Sequence, residues 1–133
     1  MCVDRYCRHV EQKLKGGLSS VLVLYTIGGA GRPIHGYGII KRIHKMTGGY
    51  ITVGAGTVYP ILRNLEDKGM VVHDAEGSTR GPGRKVYSLT DDGKRAVGML
   101  EDMIYEFNEA VTSVRCGVGL AGNGGDAPEF RKS

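Results

Sequence analysis

Three observations on this sequence predict a mainly α-helical fold with one small β-hairpin, in the α+β class. Apolar residues recur at helical spacing in several segments, and two short runs rich in valine and tyrosine lie between the later ones. Glycine and proline clusters separate these segments where the chain must turn. A heptad pattern then extends from residue 97 to residue 114. This order is typical of a winged helix-turn-helix with a C-terminal dimerisation helix.

The first part of the chain is predicted to form two helices. Residues 4–15 are polar with a few apolar residues at helical spacing, so we assign residues 1–17 to an N-terminal amphipathic helix that ends at Gly16 and Gly17. The next helix begins at Leu18 and is strongly apolar. It ends at a break of four glycine or alanine residues that leads to Pro33.

Two further helices complete the helical part of a DNA-binding domain predicted over residues 18–89. One begins at about Gly36 and is closed by Gly48 and Gly49, as C-cap glycines do. The other covers about residues 55–68, with Pro60 expected in its first turn, where a missing N–H removes no helical bond. Its predicted buried side consists of Val58, Ile61, Leu62 and Leu65.

A long hairpin and a long helix follow. Residues 70–74 and 85–89 have the composition of strands, and the intervening loop is rich in glycine, serine and arginine. Thr90 is a capping hydroxyl followed by two carboxylates, which predicts a helix over residues 90–116. Residues 117–133 contain five glycines and few apolar side chains, so we expect a disordered tail.

The heptad pattern of the last helix predicts a homodimer. A single winged helix would leave such an apolar stripe uncovered, and a symmetric pair of helices would bury it. A dimer would also suit a pseudo-palindromic operator in double-stranded DNA. The predicted interface residues are Val97, Leu100, Met103, Ile104, Phe107, Val111 and Val114.

Composition and charge restrict the class of protein. Residues 1–89 contain 13 lysines and arginines against 6 acidic residues, whereas residues 90–133 contain 5 against 8. A basic region of this kind suits a polyanionic partner. No apolar run of about 18 residues predicts a membrane helix, and three cysteines without a close pair suggest reduced thiols in the cytoplasm. The scattered histidines and carboxylates predict neither an enzyme nor a cofactor or metal site.

The residues expected to contact DNA lie on the third helix and the hairpin. The exposed side of the third helix carries hydrogen-bonding groups that can reach base edges or phosphates, and the hairpin carries cations on a glycine-rich loop. Lysine and arginine on the second helix would add phosphate contacts. The set from the residues alone is Lys41, Arg42, Thr57, Tyr59, Arg63, Asn64, Arg80, Arg84 and Lys85.

Three stretches in the same order resemble regulators of the PadR family. Residues 22–28 followed by 33–43 resemble the opening of these regulators, residues 56–69 their recognition helix, and residues 80–93 their wing and the helix start that follows. The resemblance covers about residues 18–97 and fits the shorter subgroup with a single C-terminal helix. Gly38 departs from the family, because many members have an acidic or polar residue there.

The resemblance implies a homodimeric repressor whose Tyr37, Thr57, Tyr59 and Arg63 face DNA. It also implies a small hydrophobic or aromatic effector, as in many members. The best-known effector pocket of the subgroup relies on tryptophan, and this chain has none.

Two alternative functions follow from the same residues. The winged helix could dock a protein partner, with the heptad stripe forming a hetero-complex. The chain could instead be a winged-helix metal sensor that uses Cys2, Cys7 and Cys116, although their spacing is not that of a zinc knuckle.

Overall fold

The computed structural model of the chain describes residues 2–76 and 83–119. The predicted fold class is confirmed, since these ranges contain four helices and one small antiparallel sheet. The elements in chain order are α1 (Val3–Gly29), β1 (Ile34–His35), α2 (Gly36–Met46), α3 (Ala55–Asp67), β2 (Val71–Glu76), β3 (Arg84–Leu89) and α4 (Asp91–Gly119). None of the helices in the described ranges has the length and apolarity needed to cross a bilayer.

The chain divides into two compact units, and the boundary lies between Val97 and Gly98, within α4. The core of the first unit is formed by apolar side chains from α1, α2, α3 and the sheet. Burial of such side chains removes apolar surface from water, which is the main favourable contribution to folding. The most deeply buried are Val23, Ile39, Val58, Leu62 and Val71.

Helix α1 differs from the prediction, because it continues without a break through Gly16 and Gly17. Each interior glycine costs a helix about 1 kcal/mol relative to alanine. Contacts with the loop after α2 hold the first half of α1 in place. The Lys15 ammonium donates to the Tyr50 carbonyl oxygen at 3.0 Å, and the Tyr50 hydroxyl donates to Oε2 of Glu11 at 3.0 Å.

Helix α2 ends as predicted, whereas the position of Pro60 in α3 does not match the prediction. Gly48 and Gly49 adopt φ angles of 60° and 83°, a left-handed conformation that closes the helix. Pro60 is the sixth residue of α3 and so lies beyond the first turn. Its missing N–H leaves the carbonyl of Gly56 without its usual helical donor. Burial of the apolar side of α3 offsets that loss.

The sheet has the strand order β1-β3-β2, with antiparallel pairing throughout. Strands β2 and β3 are the predicted hairpin, and Val71 pairs with Leu89 at one end and Glu76 with Arg84 at the other. The two-residue strand β1 was not predicted. It pairs Ile34 with Tyr87 and so brings the start of α2 beside the hairpin.

Helix α4 begins at the predicted cap and extends slightly further than predicted. The backbone N–H of Gly93 donates to the Thr90 hydroxyl at 3.0 Å, and that hydroxyl donates to the carbonyl oxygen of Gly69 at 2.6 Å. The helix continues to Gly119, so residues 117–119 are helical. The rest of the expected disordered tail lies outside the described residues.

Candidate nucleic-acid interface

A groove of about 600 Å³ lies where the start of α2, the exposed side of α3 and strand β3 meet. We call it the interface groove. The pairing of β1 with β3 brings these three elements together, although they are distant in sequence. The residues that line the groove are His35, Gly36, Tyr37, Tyr59, Arg63, Arg84, Lys85 and Tyr87.

The start of α2 contributes His35, Gly36 and Tyr37. The backbone N–H of Gly38 donates to Nδ1 of His35 at 3.0 Å, so His35 caps the helix. Because Nδ1 accepts this bond, the ring proton is on Nε2 when the histidine is neutral. The Tyr37 ring is exposed, and the Lys41 ammonium lies 5.3 Å from its centroid. This end of the groove therefore offers several hydrogen-bond donors.

Helix α3 has the two sides that the sequence predicts. Val58, Leu62 and Leu65 are buried, and Ile61 is half-buried. Tyr59 and Arg63, one turn apart on the other side, line the groove. The two remaining polar residues expected at DNA, Thr57 and Asn64, are exposed on the same helix but do not line the groove.

Strand β3 contributes the cations of the hairpin. Arg84 and Lys85 are exposed, whereas the next two residues, Val86 and Tyr87, are buried and anchor the strand. The structure therefore brings Arg84 and Lys85 together with Arg63, as a shared DNA surface requires. The third expected wing cation, Arg80, lies outside the described residues.

Tyr87 and its neighbours tie the hairpin to α3. Burial raises the pKa of the Tyr87 phenol, the nearby carboxylate of Glu66 raises it further, and the Arg63 guanidinium opposes the rise. Tyr87 is therefore a neutral donor at physiological pH. His73 of β2 contacts the Glu66 carboxylate through Nδ1, and its ring centroid lies 6.0 Å from that of Tyr87.

Arg42 has a different neighbourhood from the other expected phosphate contacts. Its guanidinium donates to the carbonyl oxygen of Gly29, the last residue of α1, at 3.0 Å. This carbonyl is at the negative end of the α1 dipole, where a cation is favourable. The bond ties α2 to α1, and Arg42 does not line the groove.

The interface groove is positively charged. Arg63, Arg84 and Lys85 supply three cations, and no carboxylate is among its described lining residues. Guanidinium groups bind phosphate in a bidentate manner and also pair with guanine edges. The groove can therefore bind a polyanion, and its guanidinium groups can distinguish among the hydrogen-bonding groups on that polyanion.

Sequence reasoning missed His35, Gly36 and Tyr87 as lining residues. The proximity of His35 and Gly36 to the hairpin depends on the pairing of β1 with β3, two elements far apart in sequence. Tyr87 lies in a predicted strand, and the sequence carries no signal that it lines a groove.

The predicted dimer residues lie on α4. Val97 is half-buried in the first unit. In the second unit Leu100 and Ile104 are half-buried, whereas the other four predicted interface residues are exposed. These four are Met103, Phe107, Val111 and Val114.

The cysteines of the metal-sensor alternative are free thiols. Cys2 and Cys7 are exposed, and Cys116 is half-buried. Over residues 2–76 and 83–119, no three side chains of histidine, cysteine, aspartate or glutamate are grouped so that they could hold a metal ion.

The chain is similar to known regulators of transcription. The chain is 28% identical over 90 residues to the transcriptional regulator YqjI of Escherichia coli strain K12, a match that covers 67% of this chain and 41% of that protein. The chain thus spans about two fifths of the length of the curated relatives that it matches.

Solved structures are similar over more of their length. A PadR family transcriptional regulator from Eggerthella lenta has a TM-score of 0.73 at 26% identity, with 84% of this chain and 93% of that chain covered. A Streptococcus transcriptional regulator has a TM-score of 0.62 at 30% identity, with 78% and 97% covered. The family model described as "Transcriptional regulator PadR-like family" matches residues 23–99, which include α2, α3, the hairpin and the start of α4. The chain therefore belongs to the PadR-like family of transcriptional regulators.

Proposed function

We propose that this protein is a sequence-specific DNA-binding regulator of transcription that represses as a homodimer. The observation that carries the proposal is the interface groove, where Arg63 of α3 and Arg84 and Lys85 of β3 surround one concave surface with two exposed tyrosines. In a winged helix the third helix enters the major groove and the hairpin touches backbone or minor groove. The charge and position of these residues suit that arrangement.

The contacts divide into two kinds. Cations at the edge of the surface would bind phosphates. This electrostatic attraction dominates the non-specific affinity for DNA and its dependence on salt. Lys41, Arg84, Lys85 and the unplaced Arg80 fit this part. Arg42 is a weaker candidate, since its guanidinium is engaged by Gly29. The residues proposed to read base edges in the major groove are Thr57, Tyr59, Arg63 and Asn64, with Tyr37 beside them.

A homodimer is the second part of the proposal. The exposed apolar side chains of α4, such as Phe107 and Val111, recur at heptad spacing, and a second copy of α4 would bury them. Two recognition helices related by a two-fold axis would then bind half-sites about 34–36 Å apart. Such a dimer would cover promoter DNA, which is the basis for proposing repression in the cytoplasm.

We also propose, from the family resemblance, that the protein binds a small hydrophobic or aromatic effector. The absence of tryptophan from the chain means that its site would have to use other apolar side chains. An effector would act by favouring a dimer geometry that binds DNA less well.

A gel-shift titration tests the proposed function. The protein is titrated against a duplex from its own upstream region and against a scrambled duplex of the same length and composition, at several salt concentrations. We expect tighter binding to the upstream duplex and a steep loss of affinity with salt. Equal binding to both duplexes would contradict sequence-specific recognition, and the absence of DNA binding would favour the protein-docking alternative.

A further inference from the structure

Gly36, the first residue of α2, is buried directly against the ring of Tyr59 from α3. A Cβ atom placed on Gly36 would lie 2.7 Å from Cε1, 2.8 Å from Cζ and 2.9 Å from the hydroxyl oxygen of Tyr59. Carbon atoms in proteins do not approach so closely without displacement. The ring therefore occupies space that any other side chain at position 36 would need.

The backbone of Gly36 does not itself require glycine. In the described ranges, positive φ angles occur only at Gly31, Gly48, Gly49 and Gly69. Alanine is also an acceptable residue in the first turn of a helix. The constraint on position 36 therefore comes from Tyr59 and not from conformational strain.

Tyr59 follows a buried residue of α3, and its own side chain is partly exposed. The neighbouring Val58 is fully buried and fixes this part of α3, whereas Tyr59 is 42% exposed. Its hydroxyl end, which is the end nearest Gly36, lies in the interface groove with Arg63 and Arg84. A side chain at position 36 can push the ring aside without opening the core.

We infer that Gly36 is a positioning residue for the DNA interface. By lacking a side chain it seats the Tyr59 ring against the start of α2, and this seat fixes where the Tyr59 hydroxyl meets the DNA. The inference rests on the proposed function, because it takes the interface groove to be the DNA surface. It adds a residue that touches no DNA itself and acts only through Tyr59.

A double-mutant cycle on the full chain tests this inference. The cycle compares wild type, Gly36→Ala, Tyr59→Ala and the double variant on two duplexes. One is a duplex selected from a random pool by the wild-type protein, and the other is its scrambled counterpart. Gly17→Ala is the control, because a Cβ at that helical glycine meets nothing within 4 Å.

We expect Gly36→Ala and Tyr59→Ala each to lower the ratio of selected to scrambled affinity by about tenfold, the cost of one misplaced specific contact. In the Tyr59→Ala background, Gly36→Ala should change the ratio by less than about twofold. The salt dependence should stay unchanged in all four proteins, because no phosphate contact is lost. Gly17→Ala should behave as wild type.

Several outcomes would overturn the inference. An equal effect of Gly36→Ala in both backgrounds would mean that it does not act through Tyr59, and an unchanged ratio in Tyr59→Ala would remove Tyr59 from the interface. If Gly36→Ala unfolds and the double variant folds, the contact serves folding and not positioning. If the wild type enriches no sequence from the pool, the proposed function fails and the inference fails with it.

Discussion

Helices α3 and α4 are both amphipathic, but their apolar sides have different environments. In α3, Val58 and Leu62 are fully buried and the polar side is exposed to form a binding surface. In α4, Phe107 and Val114 are exposed although they belong to the more regular pattern. Periodicity thus shows that a helix face is suited to burial, but it does not show what covers it. We interpret the apolar side of α3 as covered by the same chain and the apolar side of α4 as covered by a second copy of the chain.

The largest expected effect comes from placing charge on the apolar side of α4. Leu100→Glu combined with Ile104→Glu would bury four carboxylates in the homodimer, two from each copy, and burial of unpaired charges is strongly unfavourable. We expect the sedimenting mass to fall by half. Operator affinity should fall by about 100-fold or more, because two half-sites are no longer bound together.

The control for this change is Tyr105→Glu with Thr112→Glu, which adds the same charge on exposed positions off the heptad stripe. These substitutions should leave the mass unchanged. If the Leu100 and Ile104 variant keeps the wild-type sedimentation coefficient, α4 is not the dimer helix.

The next largest effect is expected on the free energy of unfolding, from substitutions at two glycines of α4 that lie on either side of the boundary between the units. A Cβ on Gly93 would lie 2.0 Å from the carbonyl oxygen of Met70, whereas a Cβ on Gly98 meets nothing within 4 Å. Gly93→Ala should lower the free energy of unfolding by about 1–3 kcal/mol or more, because a backbone carbonyl cannot move aside easily. Gly98→Ala should raise it by about 0.5–1 kcal/mol. Urea denaturation at one protein concentration measures both, and equal effects would refute the tight packing at Gly93.

A smaller effect on stability, but a clear one on binding, is expected for the exposed side of α3. Arg63→Ala should weaken operator binding by about 1–3 kcal/mol and relax specificity at the base pair that it reads, while the dimer stays intact. Lys13→Ala serves as the control, since Lys13 is exposed on α1 and does not line the groove. Fluorescence anisotropy with labelled DNA separates the two, and equal affinities would remove Arg63 from the interface.

The smallest effect is expected where α1 is tied to the loop after α2. The hydrogen bond from Tyr50, followed by the bond and charge of Lys15, lowers the pKa of Glu11 below its ordinary value of 4.5. The folded state therefore favours ionised Glu11, and this stabilisation is present above pH 4.5 and is lost as the pH falls through the lowered pKa.

Tyr50→Phe removes the strongest of these interactions. We expect a slightly lower melting temperature than wild type at pH 7, and the two curves should converge below pH 4.5. The effect is small because the groups are exposed. A difference that persists unchanged at acid pH would show that Tyr50 stabilises the chain by other means.

Much of the fold could be predicted because its signals are local. The burial of Val58 and Leu62 and the Thr90 cap follow from neighbouring residues and standard helix chemistry. The continuation of α1 through Gly16 and Gly17 could not be predicted, because paired glycines are a local signal for a helix end, whereas the contacts of Glu11 and Lys15 with Tyr50 join residues far apart in the sequence.

The candidate site shows the same division. The polar residues of α3 and the cations of β3 were visible as chemical types, but their convergence depends on the pairing of Ile34 with Tyr87. The carbonyl partner of Arg42 and the seat of Tyr59 on Gly36 depend on contacts between separate helices. Sequence patterns alone do not specify these contacts.

The central claim is that the interface groove binds DNA through its cations, and the salt dependence of operator binding tests it most directly. The slope of log K against log salt concentration is measured for wild type, Arg84→Ala and Lys13→Ala. We predict that Arg84→Ala reduces the magnitude of the slope by about two, the loss of one phosphate contact in each half of the dimer, and that Lys13→Ala leaves it unchanged. A slope for Arg84→Ala equal to that of wild type would contradict the assignment of this groove to DNA.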